Sequence, residues 1–331
     1  MNNSIYYLNQ AKVFTEQSST LKKLKEGYIR VKHLYCGLCG SDLSHYNGTR
    51  GKFPISLGHE FISEVIEINS NKSSLALGDL VVSDFNYRCN KCEYCQSGQS
   101  HLCIKNDIQF FSNRAFSEFS DIHFSYLYKV NNLPTKKAGT LVEPLSCVYH
   151  ALQTVAISPE SKILLVGCGN IGSLIAFYCF VTGYKGQIDV CDINDQKAKT
   201  LCALYGFSSK LEPDDNQYDV VFDASNHVSG LERSVSGCKP NGQVCSMSHH
   251  FGFNINRAYE TIIEKEVKIK FPLRNGEPDN IKKAYQMIKA YWKKDYEVVF
   301  GVHDLSDINT VFNQKKLLDK NKIIFSIEPN C

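Results

Sequence analysis

Four cysteines within fifteen positions, Cys89, Cys92, Cys95 and Cys103, constrain this chain more than any other stretch of it. The spacing C-x2-C-x2-C-x7-C allows four thiolates to close a tetrahedron around one zinc ion. Closed fourfold ligation leaves no position for a reactant, so the tetrad is read as structural. It lies in a long loop between short strand-like segments.

The rest of the chain sets bounds. At 331 residues it has room for two domains, each with its own core. The formal charge of +3 and the lack of any arginine-rich block argue against nucleic acid as a partner. No apolar run approaches the roughly 20 residues that span a bilayer. The first residues lack the basic start and apolar stretch of a secretory signal, so a cytoplasmic protein is expected. In that setting fourteen cysteines mean thiols and metal ligands rather than disulfides. Cys168, Cys179, Cys191, Cys202 and Cys245 lie in apolar runs and read as small core residues.

The character of the chain changes near residue 150. Before it, Tyr28–Leu34 and Phe61–Ile68 alternate polar and apolar residues, as half-buried strands do. After it, Ile163–Val166 is a continuous apolar run, expected of a strand covered on both faces. Helical spacing follows from Ile171 to Tyr178, then a strand at Gln187–Cys191, a helix at Gln196–Tyr205 and a strand at Tyr218–Asp223. Such alternation predicts an α/β fold with a doubly wound parallel sheet. Residues 281–294 predict a helix with Ile281, Ala284, Tyr285, Ile288, Tyr291 and Trp292 on one face and solvated lysines elsewhere. The last strand, Lys322–Ile327, has no helix after it and is expected to pair back into the first domain.

Gly167-x-Gly169-x-x-Gly172 joins the first parallel strand to its helix. Gly167 permits the tight turn, Gly169 admits a pyrophosphate close to the backbone, and Gly172 lets the helix approach the strand. Asn170 and Ile171 open the helix, whose free N–H groups favour phosphate. Asp192 ends the next strand, twenty residues beyond Gly172. A carboxylate there accepts from ribose hydroxyls and repels a 2′-phosphate, which favours NAD over NADP. Lys197 nearby works against that preference, and Asp192 has an alternative reading as a turn or helix-capping residue.

Cys39, His59 and Glu60 offer a thiolate, an imidazole and a carboxylate, all acceptable to zinc, and a catalytic zinc keeps one position open. Their order along the chain matters: thiolate in a glycine-flanked turn, His-Glu pair, thiolate tetrad, dinucleotide fold. With Gly37–Asp42, Gly58-His59-Glu60 and Glu143-Pro144-Leu145, the chain resembles the zinc-containing medium-chain alcohol dehydrogenases, and within them the polyol or sorbitol branch.

That resemblance implies a GroES-like, partly β-barrel catalytic domain at 1–146, with a structural zinc lobe at 86–105. It implies a Rossmann-type NAD-binding domain at 147–279 and a segment at 280–331 that completes the first domain. It implies two zinc ions per chain. The catalytic one would be held by Cys39, not Cys36, and by His59, with Glu60 as a fixed or exchangeable ligand and Glu143 binding directly or through water. Zinc there makes a bound hydroxyl acidic, as a step toward hydride transfer to the nicotinamide. Ser41 matches the first member of a proton relay. The usual next member is replaced by Ser44, with His45 beside it as a substitute relay or a substrate contact. Arg50 and Arg274 are candidates to meet substrate, with a surface ion pair as the other reading of Arg274. The segment Asn113–Phe119 lacks the family's leading glycine, so residues between 103 and 116 are a source of altered substrate choice.

The expected activity is hydride transfer between NAD(H) and a secondary alcohol or ketone of a polyol, sugar, sugar phosphate or cyclitol. A homo-oligomer, dimer or tetramer, is implied by the resemblance alone. The alternatives are a zinc-free, quinone-reductase-like enzyme and a non-enzymatic zinc-lobe interaction protein.

Overall fold

The computed structural model describes residues 2–105, 114–248, 254, 256–313 and 319–327. The chain forms two compact units. One comprises Met1–Ser146, Asn275–Leu317 and Lys322–Cys331, and the other Cys147–Arg274 and Leu318–Asn321.

In the first unit, strand Tyr28–Gly37 organises a seven-stranded sheet. Along one edge it pairs with Glu60–Asn69; along the other, Phe119–His123 covers Tyr28–Lys32 and Lys322–Ser326 covers Tyr35–Gly37. The closing strand therefore does return to the first domain, and its register sets Lys322 beside the turn that follows Gly37. Irregularities at Arg30/Val31 and His33/Tyr35 bend the central strand, as bulges do. A separate three-stranded sheet holds Val13–Thr20, Asn2–Gln10 and Ile55–Ser56. Leu8, Phe14, Phe61, Phe116, Phe312 and Phe325 belong to one apolar core in this unit.

The alternation read from Tyr28–Leu34 places Arg30 outward, but it is buried. Asp121 and Glu67 on the flanking strands receive its guanidinium at 2.7 and 2.5 Å, and the Lys22 carbonyl accepts a further bond at 2.6 Å. His33 is fully buried as well, between the Ser63 and Ser120 hydroxyls at 2.6 and 2.8 Å. Pairing on both edges supplies partners that a polar/apolar pattern cannot reveal. The predicted helix spans Asp279–Tyr291, with Ile281, Ala284 and Ile288 buried. Tyr291 instead ends it exposed, because Trp292 turns to extended backbone and takes the buried place.

The second unit is a six-stranded parallel sheet. Its order is Ser208–Ser209, Ile188–Cys191, Ile163–Val166, Tyr218–Asp223, Cys238–Ser246, Lys268–Lys270. The order reverses beside Ile163–Val166, giving the doubly wound Rossmann arrangement with its crevice at the carboxyl ends of the central strands. All four residues of Ile163–Val166 are buried, as the continuous apolar run requires. Among the described residues, no helix is long and apolar enough to cross a membrane.

Candidate active site and metal centres

Cys39 follows the central strand and caps a short helix, Gly40–Tyr46. The Cys39 N–H donates to Asp42 Oδ2 at 3.0 Å, and the Asp42 N–H returns to the Cys39 carbonyl at 3.1 Å. These bonds fix the thiol at the mouth of the turn. Gly58, at φ +91°, leads into His59, and a side chain there would strike Phe116 at 2.9 Å. Glu60 then opens the strand Glu60–Asn69. The ligand atoms of Cys39, His59 and Glu60 lie within 4.8 Å of one another.

Electrostatics in this cluster call for a cation. Burial, then the charges of Glu60 and Asp42, push the Cys39 thiol well up, while a hydrogen bond from Ser41 opposes them. Glu143 adds to the push, so its carboxylate is close enough to act on the thiol, although it falls outside the tight three-residue group. The buried His59 Nδ1 faces Asp42 Oδ1 at 3.7 Å, and neither atom has a hydrogen-bond partner. Thiol, imidazole and carboxylate converging on one point, with buried polar atoms unsatisfied, fit a zinc ion. Cys36 is buried outside the group. Ser44 bonds back to the Gly40 carbonyl at 3.3 Å, within its own helix. His45 is half-buried at the end of that helix.

The tetrad also converges, with its four sulfurs inside 4.8 Å. Backbone N–H groups of Cys89 and Cys92 donate to Cys103 and Cys89 sulfurs at 3.3 Å each. Backbone donors, those of Lys91 and Cys92, lower the Cys89 thiol to about 6, whereas burial and the neighbouring thiols raise Cys95 to about 12. Four soft donors so placed suit one closed tetrahedral zinc. Glu277 anchors the lobe, accepting from the Ser100 N–H at 2.6 Å and from its hydroxyl at 3.0 Å.

In the second unit Gly167 has φ +94°, and a Cβ there would lie 2.7 Å from the Ala224 carbonyl. A Cβ on Gly172 would sit 1.9 Å from the Gly167 oxygen. Gly169 differs: nothing lies within 4 Å of its Cβ position, so the backbone there is open to a ligand. It caps the helix Asn170–Val181, whose first residues Asn170 and Ile171 are partly exposed. Asp192 accepts from the Cys168 N–H at 2.6 Å and the Asn194 N–H at 2.7 Å, tying the glycine loop to the next strand. The turn role is therefore real, and Asn194 is the helix cap. Lys197 is buried near it. Burial lowers its pKa and Asp192 opposes the shift. Arg274 closes this unit, half-buried at φ +59°. Within the suspected specificity segment, residues 106–113 lie outside the described residues.

The sequence model of the alcohol dehydrogenase GroES-like domain matches residues 25–132. The chain is 28% identical over 261 residues to the sorbitol dehydrogenase of Halalkalibacterium halodurans, covering 73% of this chain and 75% of that one. It is 31% identical over 225 residues to the D-altritol 5-dehydrogenase of Agrobacterium fabrum, covering 64% and 66%. The structure of acetophenone reductase from Geotrichum candidum, solved with NAD, superposes with a TM-score of 0.82 at 17% identity, covering 98% and 97%. The chain belongs to the zinc-type medium-chain polyol dehydrogenase family.

Sequence reading misses several residues of this family member. Lys322 forms a buried ion pair with Glu60 across 262 positions, and its Nζ also reaches the Leu38 carbonyl at 3.4 Å. The only signal was a lysine at the head of an apolar strand. A Cβ on Gly37 would lie 2.5 Å from Lys322, so that glycine keeps the space. Asn321 donates to the Cys168 carbonyl at 2.6 Å, bracing the glycine loop. Asp42 was visible in the motif, but not its place against His59.

Proposed function

We propose that the protein is a zinc-requiring, NAD-linked dehydrogenase of a secondary alcohol on a polyol or sugar. The convergence of Cys39, His59 and Glu60, with Ser41 hydrogen-bonded at the thiol, carries this reading. Its relatives named for sorbitol and altritol support the substrate class. Cys39, His59, Glu60 and Glu143 would hold the catalytic zinc, which supplies Lewis-acid polarisation of a substrate oxygen. Cys89, Cys92, Cys95 and Cys103 would hold a second, structural zinc.

The chain's own groups do the rest. Asp42 fixes the Cys39 turn through one oxygen and sets the negative charge of the other 3.7 Å from His59 Nδ1. Lys322 neutralises Glu60, so that this carboxylate does not load the site with a further net charge. Ser41 would relay the proton of the reacting hydroxyl, taking it up as it passes its own hydroxyl proton on to water. Asp192 accepts from the ribose hydroxyls of NAD, and Gly169 with the helix behind it accommodates the pyrophosphate.

Metal analysis and a polyol panel followed by NADH absorbance test the proposal. Two zinc ions per chain, with turnover lost on stripping and restored by zinc, are expected. One zinc ion with undiminished turnover would instead favour a zinc-free reductase.

A further inference from the structure

We propose that Arg114, Arg50 and His45 form an anion subsite next to the Cys39–His59 cluster, and that the substrate carries a phosphomonoester. The inference rests on the dehydrogenase reading and names its substrate class.

The Arg114 guanidinium carbon lies 4.4 Å from the centre of the Phe85 ring. The same ring packs 4.9 Å from the His59 imidazole. One aromatic side chain thus contacts both the guanidinium and the expected metal ligand. The backbone of Arg114 is pinned, its N–H to Ser56 Oγ at 3.2 Å and its carbonyl to Ser117 Oγ at 2.8 Å. Among the described residues, no carboxylate forms an ion pair with Arg114 or Arg50. Asp42 acts on Arg114 from a distance, but its own oxygens are turned to the Cys39 N–H and to His59.

His45 completes the group. A Cβ on Gly51 would lie 2.5 Å from its Nδ1, so the Arg50–Gly51 backbone closes against the imidazole, and the Arg50 backbone is hydrogen-bonded to it. Burial and then Arg50 hold His45 below its ordinary pKa; Asp42 opposes this and Arg114 adds to it. Burial brings Arg114 down to about 10, against the pull of Asp42 and with a further push from Arg50.

The energetics need a ligand. A guanidinium resting on an aromatic face gains about 0.5–1 kcal/mol. Taking an ion from water costs several kcal/mol unless it is paired. Arg114 is half-buried, so part of that cost falls on it and the ring contact alone does not offset it. A phosphate dianion offers acceptor oxygens to guanidinium groups and would offset the charge of both arginines. A neutral hydroxyl would leave the repulsion in place.

The test compares kcat/KM for a neutral alditol and for the same alditol bearing a terminal phosphate, in the wild type, Arg114→Gln and Arg50→Gln. Calorimetric titration of the zinc-loaded protein with inorganic phosphate runs beside it. The wild type should prefer the phosphorylated alditol. Each substitution should reduce that preference about 10- to 100-fold, mainly through KM, and weaken phosphate binding in parallel. Arg50 is exposed, so its variant stays informative should Arg114→Gln perturb folding. Equal use of both alditols, preference for a carboxylate analogue over the phosphate, or a preference untouched in both variants would overturn the subsite. If no alditol of either kind reduces NAD, the dehydrogenase reading fails. The subsite is then decided by whether inorganic phosphate binds and is lost in Arg114→Gln.

Discussion

Lys322 and Glu60 meet as an ion pair whose side chains are each about 1% exposed. Nothing near either residue in the chain announces the other. The strand Lys322–Ser326 carries the cation to the end of Tyr28–Gly37, next to the start of the strand that Glu60 opens.

In the zinc-stripped protein, breaking that pair leaves a buried, uncompensated charge. Lys322→Met should destabilise the protein by about 3–5 kcal/mol. Lys322→Met combined with Glu60→Gln should recover most of that loss. Urea denaturation of both variants measures it, and a double variant no more stable than Lys322→Met would show that the two side chains are not coupled.

Cys39→Ser replaces the soft donor of the reactive cluster. Turnover should fall at least about 100-fold, with one zinc ion lost per chain. NAD binding should stay nearly intact, since the glycine loop belongs to the other unit. Nicotinamide fluorescence titration separates the two effects. Loss of cofactor binding together with activity would mean that Cys39 acts through folding.

Asp192→Ala removes the carboxylate that ends the strand Ile188–Cys191. The KM for NAD should rise about tenfold or more, and discrimination against NADP should relax, because a charge-assisted contact and a repulsion disappear together. Unchanged cofactor preference would leave Asp192 with only its turn role.

Burial pushes the His33 pKa down to about 3 from its ordinary 6.5. Between those values the unfolded chain binds a proton that the folded one refuses. The stability at stake is complete above pH 6.5 and is lost as pH falls, by up to about 1.4 kcal/mol per pH unit from this group. His33→Gln should flatten the slope measured between pH 6.5 and 5. Identical slopes in wild type and variant would assign the acid sensitivity elsewhere.

Much of the site was legible from local pattern. The tetrad, the glycine triplet and the Cys39 turn each span a few residues whose chemistry depends on near neighbours. Arg30 and His33 were not legible, because their burial depends on Asp121, Glu67, Ser63 and Ser120 arriving on other strands. Tyr291 was assigned to the buried face by periodicity, but it is exposed as the last residue of the helix, and Trp292, beyond the helix end, is buried instead.

The candidate metal-ligand motifs, glycine placement and the alternation of strand and helix followed from the amino-acid order, since short spacings and backbone sterics act without reference to the rest of the chain. The pairing of Lys322 with Glu60, the neutral His33 and the company of Arg114 were decided only in three dimensions. Charge and burial are set by which distant strands become neighbours, and that information is spread over the whole fold.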